Sequence, residues 1–225
     1  MTNSWTEGPQ PLKVPAVLVA ALLLCAPSGL AAQDGGVQTE ITGFEGLAWG
    51  TPASAVLASF GEPGQEELQD SLTLLAYQSA RFGYEAVVLF AVHQSHGLVM
   101  GKYLMPLNEE NDCEVQFREV RRQVNITYPL IRPTERRYNN APEDLCEAQA
   151  AGNAGWLIQW TDEKNLSTIV VVLSAGKSDL QVAYESALFK EWAATREERA
   201  RDLEIQAPAD SAALEPAGAD SAAVD

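Results

Sequence analysis

The chain has 225 residues, a formal net charge of −16 at pH 7 and 46% hydrophobic residues. A charge of that size disfavours nucleic acid and anionic lipid headgroups as partners, because like charges repel. The hydrophobic content suffices for a folded core, and the length suits one domain or two small ones.

The first 32 residues have the pattern of an export signal. Residues 14–24 form an apolar run after Lys13, and the small-residue stretch that follows predicts cleavage after Ala32. The run is shorter than the roughly 20 apolar residues that span a bilayer. Leucines precede Cys25 in place of the small residue of a lipobox, so lipidation is not expected. We expect a bacterial periplasmic or secreted protein with no transmembrane segment after cleavage; a signal retained as an anchor is the alternative.

Three cysteines occur in the chain, and cleavage of the signal removes Cys25. An even pair in an oxidising compartment predicts a disulfide between Cys113 and Cys146. Such a bond closes a loop of about 34 residues and stabilises the fold by roughly 3–4 kcal/mol in the chain-entropy model. The competing interpretation is a metal site, for which two cysteines without nearby histidines are poor ligands. We therefore expect no metal and no cofactor.

A polar lead-in at residues 33–40 precedes a first unit at 41–107, which begins with a short helix. Thr51 can cap this helix, Pro52 suits its first position, and a glycine and a proline at 61 and 63 end it. Three strands joined by short turns follow, and short turns make antiparallel hairpins. The predicted strands are 72–80, 84–92 and 98–105. Residues 86–92 are apolar at every position, which is typical of a central strand covered on both faces.

The same order recurs in a second unit at residues 108–187. A helix is predicted from Cys113, because Phe117, Val120 and Val124 continue one apolar stripe. An irregular stretch with three prolines follows, and three more strands are predicted at 156–161, 167–174 and 180–186. The predicted fold class is therefore α+β, with two αβββ units that form antiparallel sheet with helices packed on it. A C-terminal helix at 188–206 and a disordered acidic tail at 207–225 complete the chain.

Residues 50–63 carry the motif Gly-Thr-Pro-x-x-x-Val-x-x-x-Phe-Gly-x-Pro. This motif resembles the helix signature of the BamE-like outer-membrane-assembly lipoproteins, and the repeated helix-plus-sheet order is similar to the tandem units of secreted β-lactamase-inhibitor proteins. The lead-in at 44–50 resembles a motif of uncharacterised exported bacterial proteins. The resemblance implies a binding or scaffolding role in the cell envelope. The chain departs from the lipoproteins by lacking a lipobox, and no functional residue carries over.

A segment of 20 residues in this acidic chain contains six arginines and only two glutamates. They are Arg118, Arg121, Arg122, Arg132, Arg136 and Arg137. Such a local excess of positive charge indicates a docking site for an anionic partner, or for the protein's own acidic tail. The alternative is a solvated helix face and loop.

Motifs for catalysis are weak. His93 and His96 flank a predicted hairpin turn, without the helical spacing of a zinc protease. Gly176-Lys177-Ser178 lacks the upstream glycine of a phosphate-binding loop and fits a turn. Two tryptophans, at 156 and 160, share one strand face, which is either core or an exposed binding surface.

These observations predict a non-enzymatic exported envelope protein with a binding or assembly role, and another envelope protein as its partner. The alternative is a periplasmic small-molecule or anion-binding protein that uses the arginine cluster. A hydrolase that uses the two histidines is a third hypothesis. A deep arginine-lined pocket would favour the anion-binding alternative, whereas a broad exposed apolar sheet face would favour protein binding.

Overall fold

A computed structural model of the chain describes residues 37–107, 113–138 and 145–206, and the side chains of these residues except 138 and 197–206. The predicted signal peptide at 1–32 and the predicted acidic tail at 207–225 lie outside the described residues. Among the described residues, no helix is long and apolar enough to cross a membrane.

Ten strands and four helices make up the described fold. In chain order they are β1 (Gly43–Phe44), β2 (Leu47–Ala48), α1 (Ala53–Phe60), β3 (Gln65–Gln69), β4 (Leu72–Arg81), β5 (Tyr84–His93), β6 (Gly97–Pro106), α2 (Cys113–Thr127), β7 (Pro133–Tyr138), α3 (Leu145–Ala150), β8 (Gly155–Thr161), β9 (Thr168–Leu173), β10 (Asp179–Glu185) and α4 (Ala187–Gln206). Six of the strands lie where the apolar pattern predicts them.

The predicted fold class of two αβββ units is wrong. Eight strands form one antiparallel sheet in the order β3-β4-β5-β6-β10-β9-β8-β7, and β1 pairs with β2 in a separate hairpin. The two halves join because β6 pairs with β10 from Pro106↔Asp179 to Met100↔Glu185. This pairing satisfies backbone groups that would lie at exposed edges if each half were a separate sheet.

The two edge strands are the ones that the sequence pattern misses. Residues 65–69, Gln-Glu-Glu-Leu-Gln, are exposed at every position of β3. β7 begins with Pro133 and continues with Thr-Glu-Arg-Arg. Charge and proline on an edge strand oppose further strand pairing, and the same residues remove the apolar alternation by which a strand is recognised. Each half of the sheet therefore contributes four strands where three were expected.

One face of the sheet, which we call the inner face, is filled by large side chains. The strand residues that it buries include Phe90, Tyr103, Trp156, Trp160 and Val171. Phe44, α1 and α2 cover it, with Val56 from α1 and Phe117, Val120 and Val124 from α2 in the same cluster. Trp156 stacks on Phe117 with ring centroids 4.3 Å apart. The two tryptophans are therefore core residues.

Long-range polar contacts attach the N-terminal segment to the sheet. The Ile41 backbone N–H donates to the buried Asp162 carboxylate at 2.9 Å, and the Trp49 indole donates to the Ser167 hydroxyl at 3.1 Å. Thr51 donates its hydroxyl to the Ala48 carbonyl at 2.8 Å instead of capping α1, so the N-cap of α1 is Pro52. These contacts hold the β1–β2 hairpin over the inner face.

Cys113 and Cys146 form a disulfide with an S–S distance of 2.02 Å. It joins the first residue of α2 to α3. Gln149 of α3 in turn donates to the carbonyls of Ser174, at 2.5 Å, and Lys177, at 2.7 Å, in the β9–β10 turn. The disulfide and these hydrogen bonds therefore connect the helical cover of the inner face to one end of the sheet.

Candidate functional site

The predicted arginine cluster is divided between α2 and the segment around β7, and three glutamates pair with four of its six arginines. Four of the arginines form ion pairs. These pairs are Arg118 with Glu114, Arg121 with Glu135 at 3.1 Å, Arg122 with Glu119 at 2.6 Å and Arg137 with Glu135 at 3.3 Å. The two remaining arginines, Arg132 and Arg136, are exposed.

Two further contacts occupy the cluster. Hydrogen bonds from Arg122 and Gln123 lower the pKa of the Glu119 carboxyl to about 2, so this glutamate remains charged at physiological pH. The Arg137 guanidinium lies over the Trp156 ring, 4.0 Å from its centroid. Four of the six arginines are thus held by glutamates, one of them also by an aromatic ring, and none of the six lines either cavity of the described fold.

The two histidines lie at the β5–β6 turn with ring centroids 4.8 Å apart. The Ser95 backbone N–H donates to Nδ1 of His93 at 3.2 Å, and both rings line a hollow of about 280 Å³. Within the described residues, no three His, Cys, Asp or Glu side chains are grouped closely enough to hold a metal ion. Gly176 and Lys177 lie in the turn between β9 and β10.

The second face of the sheet, which we call the open face, carries half-buried side chains. Along β8, β9 and β10, residues on the inner face are buried, while their neighbours in sequence are half-buried except Gly155 and Thr168, which are buried. The open-face residues are Ala76, Val87, Leu89, Lys102, Leu104, Leu157, Gln159, Val170, Val172, Gln181 and Ala183. Most of them are apolar.

Strand register aligns these residues in two rows that cross five strands. The first row runs Val87, Leu104, Gln181, Val172, Leu157, and the second runs Leu89, Lys102, Ala183, Val170, Gln159. Five strands at the usual spacing span about 19 Å, and the rows lie about 7 Å apart. Four of the five residues in the first row are apolar, and the fifth, Gln181, lies at its centre on β10.

One cation lies within the second row. Burial among its neighbours lowers the pKa of the Lys102 ammonium, while the carboxylates of Asp179 and Glu185 act in the opposite direction. A charged group placed among apolar side chains favours a partner that brings an opposite charge to it. Lys102 therefore places a positive charge among the half-buried side chains of this face.

At one end of the open face, α4 shows how a helix can lie on it. Ser186 caps the helix by accepting from the Phe189 backbone N–H at 3.1 Å. Phe189 and Trp192 then pack against Leu72, Ala91 and Val99, and the Trp192 indole donates to the Ser71 hydroxyl at 3.2 Å. The helix therefore crosses the strands beside the two rows.

A cavity of about 320 Å³ lies on the opposite side of the sheet, where the β1–β2 hairpin meets α2. Its polar centre is Glu45, which accepts hydrogen bonds from the Arg81 guanidinium and from the Tyr103 hydroxyl. Burial opposes the charge on Arg81, but the hydrogen bond to Glu45 and the nearby negative charge outweigh burial and raise the pKa of Arg81. Burial also raises the pKa of Tyr103 well above its ordinary value.

Neither the open face nor this cavity is identified by the sequence pattern. The unbroken apolar run 86–92 predicts cover on both faces of β5, whereas Val87 and Leu89 are only half-buried. The apolar run is the one sequence feature that could have indicated the open face. A strand that is apolar on both sides is expected when both faces are covered within the fold, and also when one face binds another protein. No sequence motif connects Glu45 to Arg81 and Tyr103, which are 36 and 58 residues away.

Comparison with known proteins does not supply a family. No family model, no curated protein and no solved structure matches this chain. Functional proposals for the chain therefore depend on its own geometry and chemistry.

Proposed function

We propose that this chain is a non-enzymatic binding protein of the bacterial envelope that docks a helix of another protein on the open face. The observation that carries the proposal is the pair of half-buried rows across five strands, of which the first is apolar except for Gln181. Apolar side chains grouped on one face of a sheet, with polar residues among them, are typical of interaction sites.

The dimensions of the rows favour a helix as the docked element. A helix is about 10 Å wide, so it covers two rows about 7 Å apart, and roughly 13 helical residues match a width of about 19 Å. The packing of Phe189 and Trp192 of α4 at the end of the same face provides an intramolecular precedent. A docked helix with an acidic residue opposite Lys102 would add a charge pair.

The sheet edges are less suitable for a partner. β3 exposes Glu66 and Glu67, and β7 begins with Pro133. Both features oppose the addition of a strand from another chain. The arginine cluster is less suitable for an anionic partner than the sequence suggests, since four of its six arginines are already paired with glutamates. The resemblance of residues 50–63 to the BamE-like lipoproteins, together with the predicted export signal, supports an envelope binding role.

A photo-crosslinking amino acid at position 172 or 104, incorporated in cells that produce the chain, tests this proposal. The control is position 67 on the exposed edge strand β3. We expect one discrete adduct with a second protein from positions 172 and 104 and not from 67. Leu104→Lys should reduce the adduct from position 172 at least about tenfold, because a buried unpaired charge at an interface costs several kcal/mol.

Two results would contradict the proposal. One is an adduct of equal yield at positions 67 and 172, since this would mean that crosslinking reports only exposure. The other is an adduct that contains two copies of this chain, since the open face would then be a self-association surface. Sedimentation of the purified chain separates that case, because the proposal predicts a monomer.

A further inference from the structure

The cavity under the β1–β2 hairpin has features of a small-molecule site that are independent of the open face. It lies on the inner side of the sheet, lined by the hairpin, α2 and the ends of β4 and β6. Its volume of about 320 Å³ is at the lower end of the range, roughly 300–1,000 Å³, that small-molecule pockets occupy. A ligand of one small ring is therefore the size that fits.

The turn of the β1–β2 hairpin places the Glu45 carboxylate in this cavity. Glu45 and Gly46 have positive φ angles of 52° and 76°, as both residues of a two-residue hairpin turn require. Asparagine or glycine suits the first of these positions better than glutamate, so Glu45 is held there by its partners. Its side chain is 6% exposed, and the Arg81 side chain that pairs with it is 29% exposed. Glu45 thus adopts an unfavourable backbone conformation, and its buried carboxylate lies in the cavity as a result.

The charges in the cavity cancel. Glu45 and Arg81 form a direct ion pair, and the three tyrosines of the cavity remain protonated because burial raises their pKa values. Arg81 uses two of its five N–H groups on Glu45, which leaves donors for a ligand. The site therefore offers hydrogen-bond donors and acceptors without net charge, which disfavours ions relative to neutral polar molecules.

Two tyrosines that line the cavity make no side-chain hydrogen bond to any residue that the structure describes. Tyr128 is 4% exposed and Tyr184 is 9% exposed, and both line the cavity. Neither hydroxyl is among the enclosed side-chain atoms that lack a partner, so each is open to the cavity, where a ligand or water can pair with it. Phe44, Phe82 and Tyr103 supply aromatic walls around them. Phe44 can approach the sheet because Gly101 has no side chain; a Cβ there would lie 2.0 Å from the Phe44 ring.

We propose that this cavity binds a small uncharged ring that carries several hydroxyl groups, of the size of a monosaccharide. Its hydroxyls would accept from Arg81 and exchange hydrogen bonds with Tyr128 and Tyr184, and its C–H faces would pack on the aromatic walls. A free monosaccharide and the terminal ring of a glycan share this chemistry.

Saturation-transfer NMR on the full chain with glucose, galactose and N-acetylglucosamine as probes tests the proposal. Gluconate and glucosamine serve as charged counterparts of similar size. We expect transfer to at least one neutral sugar and weaker binding of its charged counterpart. Cellobiose distinguishes a free monosaccharide from the terminal ring of a glycan. If cellobiose binds as tightly as glucose, the ligand is the end of a glycan; if it binds more weakly than glucose, the ligand is a free monosaccharide.

Three tyrosine variants locate the site. Tyr184→Phe and Tyr128→Phe each remove one cavity hydroxyl and keep the ring, so each should weaken sugar binding about two- to tenfold. Tyr77→Phe is the matched control, because the Tyr77 hydroxyl donates to the Gly61 carbonyl at 3.1 Å outside the cavity. The proposal is overturned if no neutral sugar binds, if gluconate binds at least as tightly, or if both cavity variants bind like Tyr77→Phe.

Discussion

Along β9, the two faces of the eight-stranded sheet carry similar aliphatic residues, yet their environments differ. In β9, Ile169, Val171 and Leu173 are fully buried on the inner face, while Val170 and Val172 are half-buried on the open face. Hairpin, α1 and α2 side chains cover the first set, and α4 covers only one end of the second. Apolar character on the open face is therefore more than the isolated fold requires, which is the reason to assign it a partner.

The largest expected difference between the faces is in the free energy of unfolding that is lost when a large side chain of β8 is replaced by alanine. Trp160 is fully buried and donates its indole N–H to Asn125 at 2.9 Å, so Trp160→Ala should lower the free energy of unfolding by about 3–5 kcal/mol. Leu157→Ala on the open face of the same strand should lower it by less than about 1.5 kcal/mol, because that site is already partly hydrated. Urea unfolding of both variants measures the contrast. Equal losses would show that the faces do not differ.

Removing the disulfide should loosen the cover of the inner face selectively. The double variant Cys113→Ser with Cys146→Ser is expected to lose about 3–4 kcal/mol of unfolding free energy, given a sequence separation of 33 residues. Reductant should produce the same loss in the native chain and leave the double variant unchanged, which is the internal control. A native chain that unfolds at the same urea concentration with and without reductant would contradict this expectation.

Alkaline pH should destabilise the inner face through its tyrosines. Burial raises the pKa of Tyr128 to about 12, whereas an unfolded tyrosine titrates near 10. The unfolded state therefore loses its proton first, so the stability contributed by Tyr128 is fully present below about pH 10 and falls by about 2–3 kcal/mol as pH rises to about 12. Unfolding curves from pH 8 to pH 12 measure the slope, and Tyr128→Phe should make it shallower. An identical slope in that variant would refute the assignment.

The smallest effect concerns a polar residue on the buried side of α2. Gln116 is fully buried, and neither its side-chain oxygen nor its nitrogen has a hydrogen-bond partner in the part of the chain that the structure describes. Gln116→Met keeps the shape and removes the unsatisfied groups, so it should raise the free energy of unfolding by about 1 kcal/mol. Gln159→Met on the open face is the control, with a change below about 0.5 kcal/mol. A destabilised Gln116→Met variant would show that the buried amide has a stabilising role.

Much of the local structure could be predicted from the sequence, because it depends on local patterns. Apolar runs locate the six central strands, and the stripe through Phe117, Val120 and Val124 locates α2. The fold class was wrong because β6–β10 pairing joins residues from separate halves of the chain, and local periodicity contains no information about which strands pair. The charged edge strands β3 and β7 lack the periodicity altogether.

The candidate sites were harder to predict for related reasons. A run such as Thr-Ile-Val-Val-Val-Leu in β9 has the same apolar composition on both faces, so only the placement of the helices tells which side is covered. The Glu45–Arg81–Tyr103 network likewise depends on the hairpin folding over the sheet. The arginine cluster is conspicuous in sequence, but its glutamate partners become apparent only in three dimensions.

The most direct test of the open face is the unfolding free energy of Val172→Lys compared with that of Val171→Lys. The two residues are adjacent valines of one strand, and they differ in the face that they occupy. We expect Val171→Lys to lose more than about 4 kcal/mol or to lack a native near-UV circular dichroism spectrum, because it buries an unpaired charge. We expect Val172→Lys to remain within about 1 kcal/mol of the parent chain. A Val172→Lys variant as unstable as Val171→Lys would mean that the open face is covered within the fold and is not available to a partner.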